Sequence, residues 1–125
     1  MPTSRKDGLK ERLTRYREIR ISVIGRKSGR LISVPVWFVL EGANELYLLP
    51  VRGSGTQWYK NVLHNSKIRI SARGEEAEFR AKPLTDAKDV QSVIEAFRAK
   101  YGADDVKKYY STLDVAVRVN LSRAP

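Results

Sequence analysis

Two glycine-bracketed stretches hold the residues best suited to chemistry. In Gly25-Arg26-Lys27-Ser28-Gly29-Arg30, two glycines enclose cations and a hydroxyl. Glycine admits φ > 0 without steric cost, and such turns aim successive backbone N–H groups at one point, where an anion is held. Arg52-Gly53-Ser54-Gly55-Thr56 repeats the combination and opens onto a helical pattern. The expectation is that these two loops meet and hold one anionic cofactor. No hydrolytic apparatus accompanies them. His64 is the sole histidine, with no serine near it in a nucleophile-elbow context, and it reads as a helix-ending residue. The carboxylates fall at surface-patterned positions and offer no acid–base pair. Without cysteine there is neither thiol chemistry nor a disulfide framework, and one histidine does not make a zinc site. A chain this poor in catalytic side chains can still do redox work when a cofactor supplies the reactivity.

Charge points the same way. The net charge is +10, and 125 residues with 42% hydrophobic and 30% charged content suit one globular domain spanning 1–125. Ten of the cations lie within the first thirty residues against Asp7, Glu11 and Glu18. The positive field is thus centred on the N-terminal segment and the first turn. It fits a phosphorylated small molecule, an anionic membrane surface or nucleic acid. No apolar run approaches the roughly 20 residues of a membrane span, and residues 1–7 lack the apolar stretch of a secretory signal, so a cytoplasmic location is expected.

The elements that must position these loops follow from periodicity. Leu9, Leu13 and Tyr16 place a narrow apolar stripe on a basic amphipathic helix over 6–17, within an N-terminal segment 1–18. Ile19, Ile21 and Val23 alternate as a half-buried strand leading into the first turn. Residues 31–40 form a long strand with Ile32, Val34, Val36, Phe38 and Leu40 on one face. Pro35 marks it as an edge or a bulge. A hairpin turn at Glu41-Gly42-Ala43-Asn44 leads to a third strand over 45–51, apolar on both faces and therefore central. A helix over 57–65 follows, with Thr56 as N-cap and Asn65 as a left-handed terminus. Strands 67–73 and 76–84 turn at Gly74-Glu75, placing Ile68, Ile70, Ala72, Ala77, Phe79 and Ala81 inward. Thr85 caps a helix over 86–101 that buries Val90, Val93, Ile94, Phe97 and Tyr101 and stops at Gly102. A short helix over 104–111 precedes a last strand carrying Val115, Val117 and Val119. Six strands with flanking helices make a small α+β barrel.

Gly25-Arg26-Lys27-Ser28-Gly29, the later Pro35, and Trp58-Tyr59-Lys60-Asn61-Val62-Leu63-His64-Asn65 are together similar to the deazaflavin-dependent nitroreductase and quinone reductase family. The match in order and spacing runs from Ile21 to about Arg73. The resemblance implies a six-stranded antiparallel split β-barrel, FMN-binding-like, that binds reduced 8-hydroxy-5-deazaflavin (coenzyme F-420). Carried over by motif position, Arg26, Lys27, Ser28 and Gly29 would contact the phosphate, joined by Arg52, Gly53, Ser54 and Thr56. Trp58, Tyr59 and Asn61 follow at the helix start. Hydride would pass to a quinone or nitroaromatic acceptor, with Tyr16 and Tyr59 as candidates to hydrogen-bond it. Relatives carry a further arginine where this chain has Leu31-Ile32, and they end the helix in asparagine-proline rather than Asn65-Ser66. FMN and FAD therefore stay open as cofactors.

Two other classes compete. One is a non-catalytic split-barrel protein that stores or senses a flavin-like or other anionic ligand. The other is a basic small barrel that binds nucleic acid, for which steep salt dependence would be the mark. Its cations cluster in turns instead of interleaving with aromatics along strands, so no specific nucleic acid is expected. Peripheral membrane association through the basic N-terminal helix and a homodimer complete the expected partners.

Overall fold

The computed structural model describes Leu13, residues 18–42 and residues 44–122. The helix expected over 6–17, with Tyr16, and Ala43 lie outside the described residues, apart from Leu13, which is helical and buried. From Glu18 on, the described residues form seven strands and three helices in the order β1 (Glu18–Ile24), β2 (Leu31–Trp37), β3 (Val39–Glu41), β4 (Glu45–Leu48), α1 (Gln57–His64), β5 (Lys67–Ala72), β6 (Glu75–Leu84), α2 (Ala87–Tyr101), α3 (Ala103–Tyr109) and β7 (Ala116–Asn120). A single 3₁₀ turn, Gly53–Gly55, precedes α1.

The strands form one antiparallel sheet in the order β2-β1-β5-β6-β7-β4-β3. Its two ends, β2 and β3, are consecutive pieces of chain separated only by Phe38. The sheet therefore curls into an antiparallel split barrel of α+β class. The expected strand over 31–40 counts as two because it breaks at Phe38, which raises six strands to seven. The break is held by α2: the Tyr101 hydroxyl accepts from the Phe38 N–H (3.1 Å) and donates to its carbonyl (2.8 Å). Lys100 Nζ donates to the same carbonyl at 2.7 Å. Neither backbone group of Phe38 is left unpaired where the ladder stops.

Two apolar clusters flank the sheet. Inside the curl lie Ile19, Ile21, Val23, Leu46, Leu48, Ile68, Ile70, Phe79, Val117 and Val119 with Phe38 and α1. Outside it, α2 and α3 press Val90, Val93, Ile94, Phe97, Tyr101 and Val106 onto Val39, Leu49, Leu84 and Ala116. Strand β4 lies between these clusters: Leu46 and Leu48 enter the inner one, while the other face carries Glu45 and Tyr47, of which Tyr47 packs against the outer one. Pro35 sits on β2, which pairs only with β1, an edge position of the kind where proline is accommodated.

Several local expectations are corrected. Asp86, not Thr85, caps α2, its carboxylate accepting from the Asp89 N–H. Asn65 is extended (φ −142°) instead of left-handed, and its side chain accepts from the Lys67 N–H. The β5–β6 turn is Arg73-Gly74, both at positive φ, which matches the twist of a tight hairpin; Glu75 already belongs to β6. Strand β4 ends at Leu48, and Ile32 is exposed while Phe38 is fully buried.

Candidate functional site

The first turn closes on itself through two backbone bonds, Gly25 N–H to the Arg30 carbonyl (2.8 Å) and Gly29 N–H to the Gly25 carbonyl (2.9 Å). Gly29 takes φ +70°. A Cβ on Gly25 would lie 2.7 Å from Ser28 Oγ and 2.9 Å from Ile32 Cδ1, so a side chain there would require those two side chains to shift. Ser28 Oγ accepts from the Arg30 N–H. The guanidinium of Arg26 is turned onto α1. Its backbone N–H and its Nη1 both donate to Asn61 Oδ1, at 3.1 and 2.8 Å, and Nη2 donates to Gln57 Oε1 at 2.8 Å. Asn61 is buried and Gln57 opens the helix, one turn apart on one face. This clasp welds the turn to α1 and leaves Lys27, Ser28 and Gly29 facing outward. The N–H groups of Lys27 and Ser28 make no hydrogen bond to any described residue. They border a pocket of about 280 Å³ that includes Ile32, Gln57 and Asn61.

The second loop is built differently. Ser54 donates from its N–H to Asp114 Oδ1 (2.9 Å) and from its hydroxyl to Asp114 Oδ2 (2.7 Å). Gly53, at φ +55°, passes so close that a Cβ would collide with the same carboxylate. Thr56 Oγ1 turns back to accept from the Arg52 N–H, although Thr56 stands at the N-cap position of α1. Donors that read in sequence as an anion seat are thus occupied by the chain's own carboxylate. Donation by the Ser54 hydroxyl holds the Asp114 carboxyl below the usual carboxylate range. Arg52, Gly53 and Ser54 do not line the pocket at the first turn.

Thr56 instead lines a third feature, an apolar cleft of about 430 Å³ against the edge of β2. Val34, Val36 and Trp37 form one wall, Trp58 and Val51 another, and Tyr109 and Tyr110 close it. Trp37 stacks on Tyr101 (centroids 4.3 Å, planes 8° apart) and meets Tyr109 edge-on, so the aromatic wall is fixed. Tyr110 is buried, which pushes its phenol up, with Tyr101 adding to the effect; it stays a neutral hydrogen-bond donor. Glu18, opposite Trp37 in the β1–β2 register, is the one acidic residue among the described residues that line the cleft.

Among the candidates read from sequence, Arg26, Lys27, Ser28, Gly29 and Asn61 come together at the turn. Thr56 and Trp58 reach the cleft. Arg52, Gly53 and Ser54 face the segment around Asp114. Tyr59 is buried in the barrel core, and burial, then the Asp114 charge, raise its phenol. Gln57, Trp37, Tyr109, Tyr110 and Asp114 were not anticipated. The adjacent tyrosines and the tryptophan ending β2 were visible as aromatics without a helical or strand face to fill. Nothing in the sequence marks Asp114. Among the described residues no group of His, Cys, Asp or Glu could hold a metal, and no helix is long and apolar enough to cross a membrane.

Residues 10–120 match the family model described as "Uncharacterized protein conserved in bacteria (DUF2255)". The chain belongs to that family. No curated protein sequence matches it. Solved structures share its fold at low identity. The F420-H2 dependent reductase FDR-A superimposes with a TM-score of 0.64 at 17% identity, over 83% of this chain and 94% of that one. HutZ, the heme storage protein of Vibrio cholerae, gives 0.68 at 13% identity, over 90% and 87%. Atu2129 of Agrobacterium tumefaciens, of unknown function, gives 0.74 at 15% identity over 95% of this chain and 54% of its own length. The DUF2255 chain therefore has the split-barrel fold, a fold found both in a reductase and in a heme-storage protein.

Proposed function

We propose that this DUF2255 chain is a split-barrel reductase that binds a reduced deazaflavin along β2. The observation that carries the reading is one row of side chains. Ile32, Val34 and Val36 share the barrel face of β2, being opposite Val23, Ile21 and Ile19. The row runs from the cationic turn, lined by Ile32, to the aromatic cleft, lined by Val34 and Val36. Four residues of strand separate the two ends by about 13 Å. A ligand with an anionic end, a flexible spacer and a flat ring suits that track. Lys27, the Lys27 and Ser28 N–H groups and the Ser28 hydroxyl would hold the phosphate; Arg26, committed to Asn61 and Gln57, would hold the turn in shape. Trp37, Trp58, Tyr109 and Tyr110 would sandwich the ring, exclude water from it and donate a hydrogen bond to an acceptor. The bound deazaflavin would supply a hydride; the chain's residues supply proximity and orientation for a quinone or nitroaromatic acceptor.

The deciding experiment titrates the purified protein separately with oxidised deazaflavin, FMN, FAD and hemin, following absorbance and fluorescence. Deazaflavin is expected to bind tightest, and the reduced form to discharge its hydride to a quinone. Saturable binding of hemin or FMN with none of deazaflavin would overturn the assignment and favour a storage or flavin-binding role.

A further inference from the structure

A second concave site opens on the opposite side of the sheet, beside α2. Its floor is fixed by register: Lys82 of β6 lies directly opposite Arg118 of β7, and Arg118 opposite Tyr47 of β4. These side chains share the face that carries Leu84, Ala116 and Val39 into the cluster under α2. The wall is the start of α2, where Asp86 and Asp89 sit one turn apart, and Glu41 of β3 also lines the pocket. The enclosed volume is about 440 Å³, within the range of about 300–1,000 Å³ common for small-molecule sites.

Charge makes this pocket unusual. Like charges placed directly opposite on neighbouring strands repel, and Lys82 and Arg118 are placed so. Carboxylates face them across the pocket, yet among the described residues Lys82 makes no ion pair. The ion pair Arg118 makes among the described residues is with Glu45, at 3.7 Å, which does not line the pocket, and its guanidinium also engages the Tyr47 hydroxyl. Asp86 is engaged as the cap of α2, whereas the Asp89 and Glu41 carboxylates accept no hydrogen bond from any described residue. Floor and wall thus hold charges of opposite sign apart, beyond direct pairing distance. A lone anion would meet Asp89 and Glu41, and a lone cation would meet Lys82 and Arg118. A ligand carrying both charges satisfies both sides.

We propose that this pocket binds a small zwitterion of the α-amino acid class. Its carboxylate lies on Lys82 and Arg118, with the Tyr47 hydroxyl beside it, and its ammonium faces Asp89 and Glu41. The site is separate from the cleft and the turn, sharing no lining residue with either, so it does not depend on the cofactor assignment. The test titrates the ¹⁵N-labelled full chain with a panel of free L-amino acids, and with propionate and propylamine as probes bearing one charge each. At least one amino acid should move the amide resonances of residues 82–89 and 118 saturably, with a dissociation constant below about 1 mM, and both single-charge probes should bind about tenfold more weakly or worse. Lys82→Met and Asp89→Asn, both at exposed positions, should each weaken binding by about tenfold at unchanged melting temperature. No saturable shift in this region up to about 10 mM for any amino acid, or equal binding of propionate or propylamine, would overturn the proposal.

Discussion

Replacing Asn61 by alanine separates the structural from the binding contribution of the first turn. Asn61 Oδ1 accepts two hydrogen bonds from Arg26, one from the backbone and one from the guanidinium. A bond involving a charged group contributes about 1.5–3 kcal/mol and a neutral one about 0.5–1.5 kcal/mol. Both end on one oxygen, and the released Arg26, at the surface, regains water, so the two do not add in full. Asn61→Ala is therefore expected to cost about 2–3 kcal/mol. For a chain of this size about 1 kcal/mol corresponds to roughly 3–5 °C, which places the drop in Tm at about 6–15 °C. Differential scanning calorimetry without ligand reads this directly. Asn61→Asp supplies the control, since it keeps an acceptor for both donors while adding a negative charge beneath the turn. It should keep stability within about 1 kcal/mol of wild type and weaken binding of a phosphorylated ligand by about tenfold. A loss below about 1 kcal/mol for Asn61→Ala would show that the Arg26 clasp does not hold the turn. Unchanged affinity in Asn61→Asp would remove the turn as a phosphate site.

Lys27 is exposed and makes no contact that a fold requires, so Lys27→Ala should leave stability within about 0.5 kcal/mol while weakening deazaflavin binding by about tenfold to a hundredfold. Isothermal titration and a thermal melt check both halves; a large loss of stability with unchanged affinity would make Lys27 structural. Tyr101→Phe removes both partners of the Phe38 backbone provided by the hydroxyl, and burial of that site sets the expected loss at about 2–4 kcal/mol by chemical denaturation. A near-neutral outcome would mean that Lys100 and water suffice at the strand break. Asp114 contributes stability that is complete above the ordinary aspartate pKa of about 3.9 and is lost as pH falls through its lowered folded-state value. Asp114→Asn should accordingly flatten the acid limb of a Tm-against-pH curve below about pH 4 and leave the shape of the curve between about pH 6 and 8 unchanged. Superimposable acid limbs for the two proteins would refute the Ser54–Asp114 pairing.

Local pattern was sufficient for most of the scaffold. Alternation in Ile19-Arg20-Ile21-Ser22-Val23 and in Lys67-Ile68-Arg69-Ile70 specifies strands with one apolar face, because successive side chains must point to opposite sides. The spacing of Val90, Val93, Ile94, Phe97 and Tyr101 specifies a helix and its buried stripe for the same kind of reason at period 3.6. Gly25 and Gly29 were legible as turn residues: glycine gives the room for the tight packing of Ser28 and Ile32 at one and adopts the positive φ at the other. What sequence left undecided depends on partners distant along the chain. The break at Phe38 exists because a tyrosine hydroxyl 63 residues later takes both of its backbone groups. Arg26 reads as a free cation until Asn61 and Gln57, more than thirty residues on, are folded against it. The second glycine loop also combines glycines, a hydroxyl and an arginine, but Asp114, 60 residues away, fills the Ser54 donors. A donor's type is a property of its residue, whereas whether it is available to a ligand is set by the tertiary fold.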